Sequence, residues 1–490
     1  MKKYAYLLFT VLFLSACLVP SLAMIPLGPS SAAANEHLAP APQAVKPDGS
    51  PNWDLLSDAA DYFSDHFAFR QELVTADSAL KAAVFHTSAQ PDVVLGRDGW
   101  LFYAETLDCY TGASTLTERQ AYCAARSLRL AQGYVEEKGG RFTFAIAPNK
   151  LSLYPEHGPR GLERASATGA DRLVEALARE GVAYTDLFAP LAAQEEDMYL
   201  RLDSHWTNRG AALGHDLLLK SFGLTGHAFD KAGSYQESHR GDLYEMLYPA
   251  SSRLDRQFEF AEALDFTYTS PIRCVDDLRI QTSSGAENGP LLLFRDSFGN
   301  ALHGLMAESF SEALFVRATP YDLRLMDQIG AQYVAVELVE RNLSQLAQAP
   351  FVMPAPKLAE LPWDDEELYR PESLSEASAL LEVSANGSNT TLSGAVDAPC
   401  DPDSPVYLVL VDDPSAAWEA FPQWDEERGR VAFAAYFDQE DSIAFDMELV
   451  NRRVNVVYRC NGQWVLALCD AVSHDPEYLA NKGLRLFEEG

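Results

Sequence analysis

The chain has 490 residues, 47% of them hydrophobic and 22% charged; this is enough for two or three domains with cores of their own and excludes intrinsic disorder. Lys and Arg total 38 against 71 Asp and Glu, a formal charge of -33, and such a surface repels phosphate backbones, so nucleic acid is excluded as a partner. The acidic runs Asp364–Glu367 and Asp425–Glu427 lack the alternating spacing of a calcium loop and read as solvated faces, so no metal is expected.

Lys2 and Lys3 precede an apolar run from Tyr4 to Leu27, and the next cationic side chain is Lys46. The basic end therefore stays cytoplasmic and the rest of the chain is exported. At about 1.5 Å per residue the run is long enough to span a bilayer, so residues 1–27 are expected to form an uncleaved anchor. Two alternatives stay open: cleavage near the small residues Ser31–Ala34, and lipidation of Cys17 in the lipobox-like Leu14-Ser15-Ala16-Cys17. Export permits disulfides among Cys109, Cys123, Cys274, Cys400, Cys460 and Cys469. Asn461-Gly462 is a two-residue hairpin turn that keeps Cys460 and Cys469 apart along the strands. Cys400 is then expected to pair with one of those two, and Cys109 with Cys123.

Residues 28–52, rich in Pro, Ala and Ser, read as a flexible tether. From 53 to 349 helical and strand-like segments alternate: a helix over Tyr62–Ala83, a hairpin within Val93–Phe102, a helix over Thr117–Glu137, a strand at Phe142–Ala147, a helix near Asp171–Glu180, a strand at Val182–Leu187 and a helix from Asn208 to Gly223. Leu291–Phe294 is a continuous apolar run, as in a parallel strand covered on both faces. A helix and strands near Ala313–Val316 and Tyr333–Val336 follow, and the order predicts an α/β domain built on a parallel sheet. Residues 350–371, with five prolines among acidic residues, read as a linker. The short strand-like runs of 372–472, among them Val406–Val411, Ile443–Leu449 and Val454–Tyr458, predict a smaller β-sandwich. Residues 473–490 form a tail. Trp418, Phe421, Trp424 and Tyr436 fit the core of that module better than an exposed glycan-binding face.

Two stretches carry the chemistry. In Asp203-Ser204-His205-Trp206-Thr207 an extended backbone puts Asp203 and His205 on one face, and Thr207 is placed to cap the next helix. In Arg295-Asp296-Ser297-Phe298-Gly299-Asn300 a buried strand ends at a serine, where open α/β folds place their sites. A serine hydroxyl is a poor nucleophile until a base takes its proton. His205 is the candidate base, with Asp203 orienting its ring and stabilising the imidazolium. The chain order acid, histidine, serine and the lack of Gly-x-Ser-x-Gly exclude the α/β-hydrolase fold. No cofactor is expected.

At these residues the sequence resembles the alginate O-acetyltransferase (AlgX/AlgJ) branch of the SGNH-hydrolase-like proteins, which includes bacterial surface relatives named for a DHHW motif. The resemblance extends to Tyr62–Arg70, Leu95–Phe102 and Pro148-Asn149-Lys150, and covers about residues 60 to 345. It implies a triad of Ser297, His205 and Asp203, a location outside the cytoplasmic membrane, a polysaccharide acceptor, and an acyl donor supplied by a membrane-bound O-acyltransferase. It also makes Asn149 a candidate oxyanion donor. Two departures stand out: Ser204 lies between Asp203 and His205 where the relatives carry His, and Arg295 replaces the usual Gly before Asp-Ser. Arg295 is expected to pair with Asp296 or to bind an anionic sugar.

The function expected is thus serine-dependent O-acetyl transfer to an exopolysaccharide or wall glycan. The alternatives are a carbohydrate acetylesterase using the same triad and a non-catalytic glycan-binding surface protein.

Overall fold

The computed structural model describes residues 2–30, 38–47, 49–349, 351–364, 366–372, 378–386, 389–396, 398–411, 413, 415–425, 430–437 and 454–474. The stretch Ser31–Ala34, the expected strand Ile443–Leu449 and all but the first two residues of the tail lie outside them. Lys2–Leu27 forms one helix. Among the described residues it is the one helix long and apolar enough to cross a membrane, by length and composition.

The expected tether is not free where it is described. The Ala39 amide donates to Asp65 Oδ2 at 2.8 Å and Asn52 Nδ2 to Asp58 Oδ2 at 2.7 Å, which ties the segment to the helix Leu55–His66. The single helix expected over Tyr62–Ala83 is broken, because Phe69 takes a left-handed conformation (φ 65°) between Leu55–His66 and Arg70–Leu80.

The strands are, in chain order, β1 (Val93–Leu95), β2 (Leu101–Tyr103), β3 (Arg141–Ala147), β4 (Tyr184–Thr185), β5 (Gly233–His239), β6 (Asp255–Phe260), β7 (Thr267–Tyr268), β8 (Arg279–Ser283), β9 (Leu291–Phe294), β10 (Glu312–Val316) and β11 (Tyr333–Val339). The main sheet runs β4-β3-β11-β9-β10-β8-β7. Its first five strands pair in parallel, whereas β8 and β7 add an antiparallel edge. The expected parallel sheet is therefore mixed. The period of two along each strand divides its side chains between two cores. Leu292, Phe294, Val334 and Val336 pack with the helices Glu118–Glu137 and Gly169–Glu180, and Leu291, Leu293 and Ala335 with Asn208–Ser221 and Gly299–Ser309. Continuous apolar runs such as Leu291–Phe294 are what this burial on both faces requires.

The C-terminal strands are β12 (Ser378–Asn386), β13 (Asn389–Val396), β14 (Val406–Leu410), β15 (Ala417–Asp425), β16 (Arg430–Phe437), β17 (Val454–Cys460) and β18 (Gln463–His474). They close into a barrel in the order β12-β13-β16-β15-β14-β17-β18, where two facing sheets were expected. Two long strands cause the closure. β15 pairs with β14 over its first half and β16 over its second; β18 leaves β17 to pair in parallel with β12. Trp418, Phe421 and Tyr436 are buried. The expected linker is a strap, with Trp363 and Leu368 packed on Tyr407 and Val457 of the barrel. Arg126 joins the two domains through Glu180 at 2.9 Å and Glu419 at 2.6 Å.

The Asn461-Gly462 turn takes positive φ at both residues and pairs Cys460 with Gln463, as its sequence predicts. Cys109, Cys123, Cys400 and Cys460 are free thiols, so neither the expected Cys109–Cys123 bridge nor the bridge expected from Cys400 forms. Cys109 faces Asn149, while Cys123 is buried with Arg119 and Cys400 as its charged or titratable neighbours.

Candidate active site

β9 ends at Phe294, and three residues later Ser297 sits in the turn before the helix Gly299–Ser309. The turn is shaped by Asp296. Its Oδ1 accepts the Phe298 amide at 2.9 Å; its Oδ2 accepts the Val339 amide at 2.8 Å and Asn342 Nδ2 at 2.7 Å. The hydrogen bonds of the Asp296 carboxylate all come from amide donors, so the expected Arg295–Asp296 ion pair does not form. Arg295 is 1% exposed and lies beneath the turn. It donates to the carbonyls of Asp296 (3.1 Å) and Val275 (2.6 Å) and to Asn300 Oδ1 (2.6 Å). Burial lowers its pKa to about 10, and Arg317 acts in the same direction. So deep a side chain is not offered to a sugar. A Cβ at Gly299 would come within 2.4 Å of the Arg295 Cδ, so glycine lets the helix start against that side chain.

Asp203 and His205 lie on a loop closed by a bridge between Tyr199 and Trp206. The helix that follows starts at Asn208, and Thr207 Oγ1 caps it by accepting the Gly210 amide at 3.1 Å. Lys150, 3% exposed, holds the loop from below. Its Nζ donates to the carbonyls of Leu200 (3.1 Å), Arg201 (3.3 Å) and Asp203 (2.5 Å).

The loop and the turn meet. His205 Nε2 is 2.9 Å from Ser297 Oγ, and Nδ1 is 2.7 Å from Asp203 Oδ1. The Asp203 carboxylate takes four donors: the His205 amide (2.8 Å) and Nδ1 at Oδ1, and His239 Nε2 (2.9 Å) and the Asp242 amide (2.9 Å) at Oδ2. Burial opposes the charge of Asp203, but His205 and His239 outweigh it and hold the carboxyl well below the usual range. Burial likewise opposes protonation of His205, yet the Asp203 carboxylate prevails and raises its pKa, with Asp242 adding to the effect and Arg341 opposing it. Asp242, raised by burial and by Asp203, accepts Ser204 Oγ at 2.6 Å. Ser204, at the position that departs from the DHHW pattern, thus links Asp242 to the loop. Asp203, His205 and Asp242 bring ligand-type atoms within 4.8 Å of one another, but both His205 nitrogens are engaged by Asp203 and Ser297.

A cleft of about 1190 Å³ opens over this array, with His205, His239, Asp242, Ser297, Arg317 and Arg341 among its walls. Arg317 pairs with Asp276. Arg341 lies 5.4 Å from the Phe298 ring and 5.5 Å from that of Tyr103, and its buried Nη1 has no hydrogen-bond partner. Asn149 is fully buried, has no partner for either side-chain amide atom and is not part of the cleft wall. The structure therefore brings Asp203, His205 and Ser297 together and leaves Asn149 and Arg295 outside the cleft. His239, Asp242 and the role of Lys150 were not foreseen. His239 and Asp242 sit in no local motif, and only the fold brings them to Asp203.

A hydroxyl, an imidazole and a carboxylate stand in this sequence of contacts at the carboxyl end of a sheet strand, the arrangement in which a histidine can take the proton of a serine. Residues 93–272 match the family model described as the SGNH hydrolase-like domain of the acetyltransferase AlgX. The chain is similar to the probable alginate O-acetylase AlgJ of Pseudomonas syringae pv. tomato, 32% identical over 161 residues that make up 31% of this chain and 39% of that protein. The AlgJ of Pseudomonas aeruginosa is 29% identical over 181 residues, 35% of this chain and 44% of the relative. The chain thus spans less than half the length of these two curated relatives. Among solved structures, Bacillus cereus PatB1 with a sulfonyl adduct aligns at TM-score 0.41 and 15% identity, over 52% of this chain and 97% of that one. The O-acetyltransferase domain of Pseudomonas putida AlgJ aligns at TM-score 0.36 and 20% identity, over 52% and 93%. The likeness to the AlgX and AlgJ proteins lies in this SGNH hydrolase-like segment. The matched segment contains Asp203 and His205 and ends before Ser297.

Proposed function

We propose that the protein is an extracytoplasmic, serine-dependent O-acetyltransferase that acylates a hydroxyl of a polysaccharide. The observation that carries this reading is the His205 Nε2 contact of 2.9 Å to Ser297 Oγ, with Asp203 at 2.7 Å on the other ring nitrogen. The names of the curated relatives, alginate O-acetylases, support a polysaccharide acceptor. The apolar helix at the start of the chain supports a site held outside the cytoplasmic membrane.

In the first step Ser297 Oγ attacks the acyl carbonyl of the donor while its proton passes to His205 Nε2. Collapse of the tetrahedral intermediate breaks the bond to the leaving group, which takes that proton from His205. The acceptor hydroxyl then gives its proton to His205 and attacks the acyl-serine, and Ser297 is restored when His205 returns the proton. Asp203 stays ionised throughout and stabilises the imidazolium. Arg341 adds positive charge to the wall of the cleft, where the oxyanion develops. The donor is acyl delivered by a membrane-bound O-acyltransferase.

The test uses the full chain in detergent, a chromogenic acetyl ester as donor, and assays with and without a polysaccharide acceptor. Parent turnover with transfer to glycan, and none in Ser297→Ala, is the expected result. Turnover that survives in Ser297→Ala would overturn the reading and leave glycan binding in its place. Release of acetate alone, unaffected by the acceptor, would make the protein an esterase.

A further inference from the structure

A second histidine stands on the far oxygen of Asp203. His239 closes β5, opposite Asp255 on β6, and the pairing register slips between Glu237 and His239. Such a bulge re-aims the side chains beside it. His239 Nε2 lies 2.9 Å from Asp203 Oδ2. The chain then runs against the Asp203 loop: a Cβ at Gly241 would lie 2.4 Å from the Leu202 carbonyl oxygen. The next residue, Asp242, gives the same Oδ2 its amide at 2.9 Å. Each carboxylate oxygen of Asp203 is thus held by two donors, the His205 pair on one side and the 239–242 segment on the other.

The hydrogen-bond roles follow from chemistry. A carboxylate only accepts, so His239 Nε2 carries a proton in both charge states of the ring. Its Nδ1 has no hydrogen-bond partner among the described residues, and 36% of the side chain is exposed in the cleft that holds Ser297. Without His239, Oδ2 would keep one amide donor and the carboxylate would be free to turn away from His205.

We propose that His239 is a positioning residue for the triad, holding Asp203 by Oδ2 so that Oδ1 remains on His205 Nδ1. This inference rests on the acyl-transfer reading of the site. The groups facing His239 are Asp203, Asp255 and Asp242, which favour its cation against the opposing effect of burial. The adjacent Arg240 is engaged by Glu245, and Ser238 by Glu259. A cationic His239 shares the charge of Asp203 and so weakens its hold on a proton at His205, which also faces Asp242 and Arg341.

His239→Gln keeps an N–H donor at nearly the same reach and removes the charge. His239→Ala removes both. With a small acetyl ester, His239→Ala is expected to lose about tenfold in kcat with little change in KM, the usual scale for a supporting hydrogen bond. His239→Gln is expected to recover most of that loss, and in both variants the acid limb of the pH–rate profile moves to higher pH. A parent-like His239→Ala, a Gln variant no better than Ala, or an unmoved limb would each overturn the role of His239. A readout independent of turnover is the His205 titration followed by NMR in the histidine-labelled full chain, with its midpoint higher in His239→Gln than in the parent. An equal midpoint overturns the inference, whereas a parent with no serine-dependent turnover overturns the acyl-transfer reading and leaves this measurement intact.

Discussion

Trp206 Nε1 donates to the Phe298 carbonyl at 3.0 Å, so the residue after His205 is tied to the residue after Ser297. Both side chains are buried, with their rings edge to face at 5.3 Å, and Phe298 also lies 4.9 Å from the His205 ring. The base and the hydroxyl come from segments 92 positions apart. The bond from the Trp206 indole to the Phe298 backbone joins those segments, so the 2.9 Å contact does not depend on His205 and Ser297 alone.

Trp206→Phe keeps the ring stacking and leaves the Phe298 carbonyl without its donor. A buried unsatisfied acceptor costs about 1–3 kcal/mol. The variant is expected to unfold at lower denaturant by that margin and to lose more in kcat than in KM, measured by urea titration and ester kinetics. Unchanged values in both would remove the bond from the account.

Asp203→Asn puts an amide where four donors converge. One Asn oxygen can serve only part of the set, and its NH2 meets N–H groups. Activity is expected to fall steeply, and stability by about 1–3 kcal/mol from the unmet donors. Because triad members act as a unit, Asp203→Asn combined with Ser297→Ala should be no slower than Ser297→Ala alone. A further loss in the double variant would show that Asp203 works outside the triad.

The pH dependence follows from two opposite shifts. His205 titrates above the ordinary histidine value, and its neutral form is the base, so activity on a small ester falls as pH drops through that raised pKa. An acid limb at or below about 6.5, the ordinary value, would contradict the geometry. Asp203 is shifted the other way. Its contribution to stability is complete above the unfolded carboxyl value and is lost as pH falls through the depressed folded one. Denaturation of Asp203→Asn between pH 5 and pH 2, windows set by about 3.9 for free Asp, should show a flatter acid slope than the parent.

Much of the fold was legible because its signals are local. The helix Glu118–Glu137 starts at a capping box, with Thr117 accepting the Gln120 amide while the Gln120 side chain accepts that of Thr117. β9 and the Tyr333–Val336 part of β11 are apolar runs, as burial on both faces of the sheet requires. The Asp203-x-His205 spacing and the strand-end serine were equally local, and the sheet brings them together. Three features were hidden for a common reason. Barrel closure depends on β15 and β18 each changing partners midway, and strand-like runs do not record their partners. Arg295 reads as a charge beside Asp296, but the amides of Phe298 and Val339 and the side chain of Asn342 occupy that carboxylate first. His239 has no neighbour in sequence that marks it, since the ribbon of β5 and β6 alone delivers it to Asp203.

Lys150 carries the last prediction. Its ammonium is buried under the 200–203 loop, over the rings of Trp100 and Phe102 at 5.6 and 5.2 Å, and donates to three carbonyls. Burial lowers its pKa to about 8 against the partial resistance of Asp203, Asp242 and Asp255. Between pH 8 and the ordinary value of 10.5 the unfolded chain holds more protons at this residue than the folded one, so its contribution to stability rises with pH across that window. Lys150→Met is close in length and leaves the loop carbonyls without donors, at a cost of about 1–3 kcal/mol. The variant should therefore be less stable at pH 7, fall further behind the parent between pH 8 and pH 10, and lose kcat as the Asp203 loop loosens. Urea titrations at both ends of that window check this; a gap that stays constant with pH would mean that the folded protein keeps the proton on the amine across the window, with no lowering of its pKa.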